Sequence, residues 1–189
     1  MKILQFCTIL VVSPFVSAQT AVTQIDAATV QHEPPQQFVI EVEVPAPVGE
    51  VWRVFTTSDG LSTWLTPNAT VDLRQGGEWT ARFPGGSTGG GTIVSFVPEK
   101  EIVLSAMAPT QFPHVRAERT RAVFQFEPRG NSTVVRLTQS GWKSGTEWTS
   151  AYGYLVAGNA QLMATLHERF VSGPIDWKKV FGESAAPSK

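Results

Sequence analysis

Residues 148–170 read WTSAYGYLVAGNAQLMATLHERF. Trp148, Tyr152, Leu155, Asn159, Leu162, Leu166 and Phe170 recur at spacings of 4, 3, 4, 3, 4 and 4, which puts them on one helical face. The spacing predicts a long amphipathic helix that stops at Gly173-Pro174. Two features set it apart from a plain core helix. Asn159 interrupts the apolar stripe, and Gly153 and Gly158 each weaken the helix by about 1 kcal/mol relative to Ala. Such glycines mark either close backbone packing or room left for something else. A helix with one apolar stripe needs an apolar surface to cover, and the preceding sequence provides it.

Upstream the period is two. Val71 and Leu73 lead to Gly76-Gly77, after which Trp79, Ala81 and Phe83 alternate with Glu78, Thr80 and Arg82. The run from Pro84 to Gly91 is glycine-rich and reads as a hairpin loop or, functionally, a flap. Strands are expected over Thr92 to Val97 and Ile102 to Ala106. A further strand carries Ala122, Phe124 and Phe126 on one side. An Arg129-Gly130-Asn131 turn joins it to a last strand over Thr133 to Gln139. Strands joined by short turns are antiparallel.

At the front of the domain, Phe38, Ile40, Val42 and Val44 alternate with Val39, Glu41 and Glu43, another half-buried strand. Pro47 suits a first helical turn, and Val48, Val51, Trp52 and Phe55 share one helical face. Ser58 suits the N-cap of a second short helix bearing Leu61, Trp64 and Leu65. The order is strand, two short helices, about six strands and one long helix. The fold class is therefore α+β, a curved antiparallel sheet of about seven strands wrapped on a C-terminal helix.

Four strings within this order are similar to the START-like (SRPBCC, helix-grip) superfamily. They are Pro47-Val48-Gly49-Glu50-Val51-Trp52, Ser58-Asp59-Gly60-Leu61-Ser62-Thr63-Trp64, Val71-Asp72-Leu73-Arg74-Gln75-Gly76-Gly77-Glu78-Trp79 and Val134-Val135-Arg136-Leu137-Thr138-Gln139-Ser140-Gly141-Trp142. Within it, they resemble homologues of the heat-shock-protein ATPase activator (the AHSA-like branch). The resemblance implies a cavity between sheet and helix that takes small apolar or amphipathic molecules, with a minority of members being enzymes such as polyketide cyclases. Relatives usually carry a His where this chain has Gln139.

The 189 residues, 42% hydrophobic and 16% charged, suit one globular domain. A formal net charge of −1 offers no basic footprint for nucleic acid. Lys2, the apolar run Ile3 to Val12 and the small residues up to Ala18 have the order of a secretory signal peptide over residues 1–18. Cleavage there removes the one cysteine, Cys7, and leaves 14 basic against 16 acidic residues. The expectation is an exported protein, periplasmic or secreted, with no membrane span after cleavage. An exported chain would not meet a cytosolic chaperone, so the activator's function is not carried over. Residues 19–37, with Pro34-Pro35, read as a flexible linker; residues 38–181 are the domain and 182–189 a disordered tail.

For chemistry, His32, His114 and His167 have no metal-ligand spacing, and no nucleophile elbow or phosphate loop occurs. No catalytic residue, metal or cofactor is assigned. Asp72, Glu78 and Glu147 are the carboxylates open to acid–base work, with Glu78 on the face opposite Trp79. Arg116, Glu118, Arg119 and Arg121 read as a solvated strand edge. Trp79, Phe83, Phe124, Phe126, Tyr152, Asn159 and Met163 are the expected lining of a ligand cavity. Three readings follow. The first is a binder of a small hydrophobic or amphipathic ligand. The second is a cyclase- or hydrolase-type enzyme using a cavity carboxylate or Tyr152. The third is a ligand-free protein-interaction module with an apolar patch around Trp142 and Trp148.

Overall fold

The computed structural model describes residues 37–181. The expected signal peptide, the linker up to Gln36 and the tail lie outside the described residues.

The chain runs β1 (Gln37–Val44), α1 (Val48–Thr56), α2 (Ser58–Ser62), β2 (Asn68–Val71), β3 (Glu78–Arg82), β4 (Thr88–Val97), β5 (Glu101–Met107), α3 (Pro113–Glu118), β6 (Thr120–Arg129), β7 (Ser132–Ser140), α4 (Thr146–Val171) and α5 (Trp177–Phe181). The strands form one seven-stranded sheet in the order β1-β7-β6-β5-β4-β3-β2, antiparallel throughout. β2 to β7 is a meander, and β1 crosses to pair with the last strand. This is the helix-grip fold that the sequence pattern predicts.

Register converts the period-two pattern into rows. One row across the inner face is Ile40, Leu137, Phe124, Ile102 and Phe96; the next is Phe38, Gln139, Ala122, Leu104 and Ile93. These rows and the inner side of α4 (Trp148, Ala151, Met163, Leu166) enclose the core. Gln139 is the polar member of its row, and it is buried.

The short helices close one end of the groove. Four consecutive carbonyls at the C-terminal end of α1 accept side-chain hydrogen bonds. Thr56 Oγ1 donates to Trp52 O (2.7 Å), Thr57 Oγ1 to Arg53 O (2.8 Å), Trp64 Nε1 to Val54 O (3.0 Å) and Trp79 Nε1 to Phe55 O (2.8 Å). A helix end leaves carbonyls without intrahelical donors, and buried carbonyls left bare are costly. The indoles supply the donors and pack their rings on Phe55, with centroids 5.6 Å (Trp64) and 5.2 Å (Trp79) away. Trp52 meets Phe126 edge-on at 5.3 Å on the other side.

Several local expectations are corrected. The N-cap of α2 is Thr57, whose Oγ1 accepts from Gly60 N (3.0 Å); Ser58 Oγ instead accepts from Val71 N (2.9 Å) and ties α2 to β2. The glycine-rich run is a loop only as far as Ser87, because Thr88–Gly91 pair with β3, and Gly90 and Gly91 pair with β5 as well. Glycine there serves strand packing. A Cβ on Gly91 would stand 2.3 Å from Ser105 O, and one on Gly90, at φ +105°, 2.1 Å from Trp79 O. The segment from Val115 to Arg121 is no strand edge. Val115 to Glu118 belong to α3, Thr120 and Arg121 open β6, and β6 lies inside the sheet between β5 and β7, so the edges are β1 and β2. Pro113 at the helix start fits α3, and Glu147 Oε1 accepts from His114 N (2.8 Å) and Val115 N (3.1 Å). Past α4, α5 is docked by Trp177 Nε1, which donates to Ser62 O (2.6 Å). Among the described residues no helix is long and apolar enough to cross a membrane.

Candidate functional site

The inner face of the sheet is unevenly filled. Over β1, α4 sits close, and Phe38, Tyr152 and Trp142 pack edge to edge there, at 5.6 Å (Phe38 to Tyr152) and 5.1 Å (Trp142 to Tyr152). Over β3 to β6 the inner positions alternate large with very small: Trp79 with Ala81, Phe83 with Gly89, Leu104 with Ala106, Phe124 with Ala122. Small side chains cannot reach the helix, and a cavity of about 430 Å³ remains. Apolar groups line most of it, which is the usual make-up of a small-molecule site.

α4 contributes Tyr154, Leu155, Gly158, Asn159, Gln161 and Leu162 to the wall. Leu155, Asn159 and Leu162 belong to the apolar stripe, and Tyr154, Gly158 and Gln161 each stand one position before a stripe residue. Gly158 is exposed, and a Cβ placed on it meets nothing within 4 Å. Of the two explanations for a mid-helix glycine, room applies here and close packing does not. Tyr154, 49% exposed and edge-on to Phe112 at 5.5 Å, stands beside it at the rim.

The polar groups of the wall are organised. Asn159 Nδ2 donates both to Leu155 O (2.8 Å) and to Gln139 Oε1 (3.2 Å). Gln139 Nε2 donates to Thr120 Oγ1 (2.7 Å). A carbonyl can only accept, so Leu155 O fixes which end of the Asn159 amide is nitrogen. That in turn fixes the Gln139 amide. Trp142 Nε1 holds the Gln139 backbone through Gln139 O (3.2 Å). The break in the helix stripe is thus one half of an amide pair whose other half is the polar member of a sheet row.

Of the residues the sequence singles out as lining, Trp79, Phe83, Phe124 and Asn159 border the cavity. Phe126, Tyr152 and Met163 do not. Phe126 is packed between Trp52 and Phe55 (5.3 Å each), Tyr152 is turned toward β1, and Met163 is fully buried one turn beyond Asn159. Gln139 and Tyr154 were not singled out as lining. Tyr154, Gly158 and Gln161 share a helical face, and that spacing was the available signal.

The carboxylates considered for acid–base work lie elsewhere. Glu78 is exposed on the outer face, Asp72 pairs with Arg74 (2.7 Å), and Glu147 holds the start of α3. Among the residues lining the cavity, the one ionisable side chain is that of Tyr154. His167 Nδ1 donates to Glu43 O (2.7 Å), and His114 is exposed. Among the described residues no three His, Cys, Asp or Glu side chains group so as to hold a metal ion. Trp142 and Trp148 are buried and meet edge-on at 6.3 Å, so the apolar patch expected around them is absent.

Comparison with known proteins agrees with the geometry. Residues 45–170 match the family model described as Activator of Hsp90 ATPase homolog 1-like protein. No curated protein matches the chain. Among solved structures, the Aha1 dimer from Colwellia psychrerythraea is 22% identical with TM-score 0.59, the match covering 72% of this chain and 97% of that one. MLL2253 from Mesorhizobium loti is 20% identical with TM-score 0.62, covering 74% and 99%. SSP2350 from Staphylococcus saprophyticus is 15% identical with TM-score 0.59, covering 74% and 96%. At such identities the structural likenesses speak for the fold. The family match runs from just after β1 to the end of α4, across every element that bounds the cavity, and the chain belongs to the Activator of Hsp90 ATPase homolog 1-like family of the START-like superfamily.

Proposed function

We propose that this domain binds one small hydrophobic or amphipathic molecule in the cavity between α4 and strands β3 to β7. The observation that carries the reading is the unfilled volume of about 430 Å³ itself, walled by Trp79, Phe83, Phe124 and Leu104. The cavity opens to solvent beside Tyr154 and Gly158, and water in it gives the apolar walls poorer dispersion contacts than packed groups would. A guest improves them. The lack of a carboxylate, imidazole or amine on the wall supports binding ahead of acid–base catalysis.

The test is native mass spectrometry of the purified protein after incubation with a lipid extract, alongside titration with the uncharged fluorophore N-phenyl-1-naphthylamine. One retained adduct and saturable one-to-one probe binding are expected. Ala122→Leu, which pushes three carbons into the cavity between Leu104 and Gln139, should abolish both. Equal probe binding by the folded variant, or no adduct and no probe binding by the parent, defeats the reading. We propose in addition that the protein is exported and cut after Ala18. N-terminal sequencing of the protein recovered from cell fractions and medium decides it, and an intact Met1 end overturns it.

A further inference from the structure

The amide pair on the cavity wall has unused hydrogen-bonding capacity, and that capacity describes the guest. We infer that the cavity selects an uncharged molecule whose buried end carries a hydrogen-bond acceptor and a donor close together, as a primary carboxamide or a lactam does. The inference rests on the ligand-binding reading above and specifies it.

Three observations lead there. The first is charge: no Lys, Arg, His, Asp or Glu side chain lines the cavity. An ionised guest would give up its hydration and find no counter-charge, so the wall disfavours carboxylates and amines alike. The second is orientation. Both hydrogens of Asn159 Nδ2 are spent, on Leu155 O and Gln139 Oε1, so what Asn159 has left is the acceptor Oδ1. No described residue donates to it. The third is Gln139, only 4% exposed, whose Nε2 spends one hydrogen on Thr120 Oγ1 and has no second acceptor among the described residues. One free donor and one free acceptor therefore lie within the span of two bonded amide groups.

The pair cannot swap these roles. Turning the Asn159 amide over would set Oδ1 against Leu155 O, and two acceptors repel. Turning Gln139 over would set Nε2 against Asn159 Nδ2. The backbone carbonyl of α4 thus decides, through two side chains, that the site offers N–H from the sheet and C=O from the helix. A guest that displaces solvent from these atoms without replacing the bonds loses affinity, whereas one that matches them gains it. The aromatic wall of Trp79, Phe83 and Phe124 takes the apolar remainder.

The test uses the purified full-length chain and four naphthalene probes in isothermal titration calorimetry at pH 7.5: 2-naphthamide, methyl 2-naphthoate, 2-ethylnaphthalene and 2-naphthoate. Two matched hydrogen bonds predict that 2-naphthamide binds about tenfold more tightly than 2-ethylnaphthalene. Methyl 2-naphthoate, with an acceptor only, should fall between, and the 2-naphthoate anion should bind most weakly. In Gln139→Met/Asn159→Leu, where both halves of the pair go together, the preference for the amide should shrink to near unity. Circular dichroism checks that this variant folds; if it does not, the order among the four probes on the parent protein decides alone. Equal affinity for 2-naphthamide and 2-ethylnaphthalene, or tightest binding of 2-naphthoate, overturns the inference while leaving the ligand cavity standing. Failure of all four probes to bind counts against the cavity reading and the inference together.

Discussion

Replacing Trp79 with Phe separates the two tasks assigned to that side chain. Trp79 is 3% exposed, donates from Nε1 to Phe55 O at 2.8 Å, stacks on Phe55 and borders the cavity. Phe keeps a ring in place but has no donor. The Phe55 carbonyl, in a residue of 0% exposure, is then left without its indole partner. A buried polar group stripped of its partner costs about 1–3 kcal/mol, and the missing ring atoms add about 1 kcal/mol for the space they vacate. The expected loss is about 2–4 kcal/mol, read as a fall of about 1–2 M in the urea midpoint followed by far-ultraviolet circular dichroism. Trp64→Phe is the companion. It strips Val54 O of the same kind of bond, at 3.0 Å, and stacks on the same Phe55, but Trp64 does not border the cavity. Both variants should lose comparable stability, and only Trp79→Phe should alter the affinity for N-phenyl-1-naphthylamine. A Trp79→Phe protein within about 0.5 kcal/mol of the parent would refute the view that indole donors hold the end of α1.

Four further outcomes are expected. Gly158→Ala should stabilise the protein by about 0.5–1 kcal/mol in thermal unfolding, since the exposed helical site has open space for a methyl group. Gly90→Ala should destabilise by at least about 2 kcal/mol, because a side chain at φ +105° is strained and its Cβ runs into Trp79 O; urea titration measures it. Arg136→Gln, which removes the exposed ion pair with Glu41, should cost less than about 1 kcal/mol, with the difference shrinking further in 0.5 M salt. Glu147→Ala should cost about 1–2 kcal/mol and speed amide exchange at His114 and Val115, whose N–H groups the carboxylate accepts.

What the sequence made legible follows a physical divide between local and non-local information. Alternation in Phe38 to Val44 and in Glu78 to Phe83, and the stripe from Trp148 to Phe170, are set by each element's own period, and β1, β3 and α4 form where the patterns predict. The strand at Thr88–Gly91 was hidden because glycines chosen for close backbone approach look the same as glycines chosen for a turn. α3 was hidden because its six residues are too few to show a period, and Glu147, which holds its start, lies far along the chain. At the site, Trp79 and Phe124 were readable from strand phase. Tyr152 was expected in place of Tyr154, because Tyr152 is on the stripe but packs on Phe38 of β1, whereas the cavity takes in Leu155, Asn159 and Leu162 of the stripe and the neighbouring Tyr154, Gly158 and Gln161. The Gln139–Asn159 pair could not be read at all: it joins two elements through a contact that no spacing rule encodes.

The pairing of β1 with β7 has a kinetic consequence. Ile40 stands opposite Leu137, so the first and last strands must find each other across nearly the whole domain, whereas β2 to β7 close by neighbouring hairpins. Distant closure is slow because chain entropy is lost before any contact rewards it. The meander should therefore acquire hydrogen-exchange protection first in a pulse-labelling experiment, with β1 and α4 following together. Protection of β1 ahead of β6 would contradict that order. On this path the hollow is the last part of the molecule to come into being, created at the moment the two ends of the domain meet.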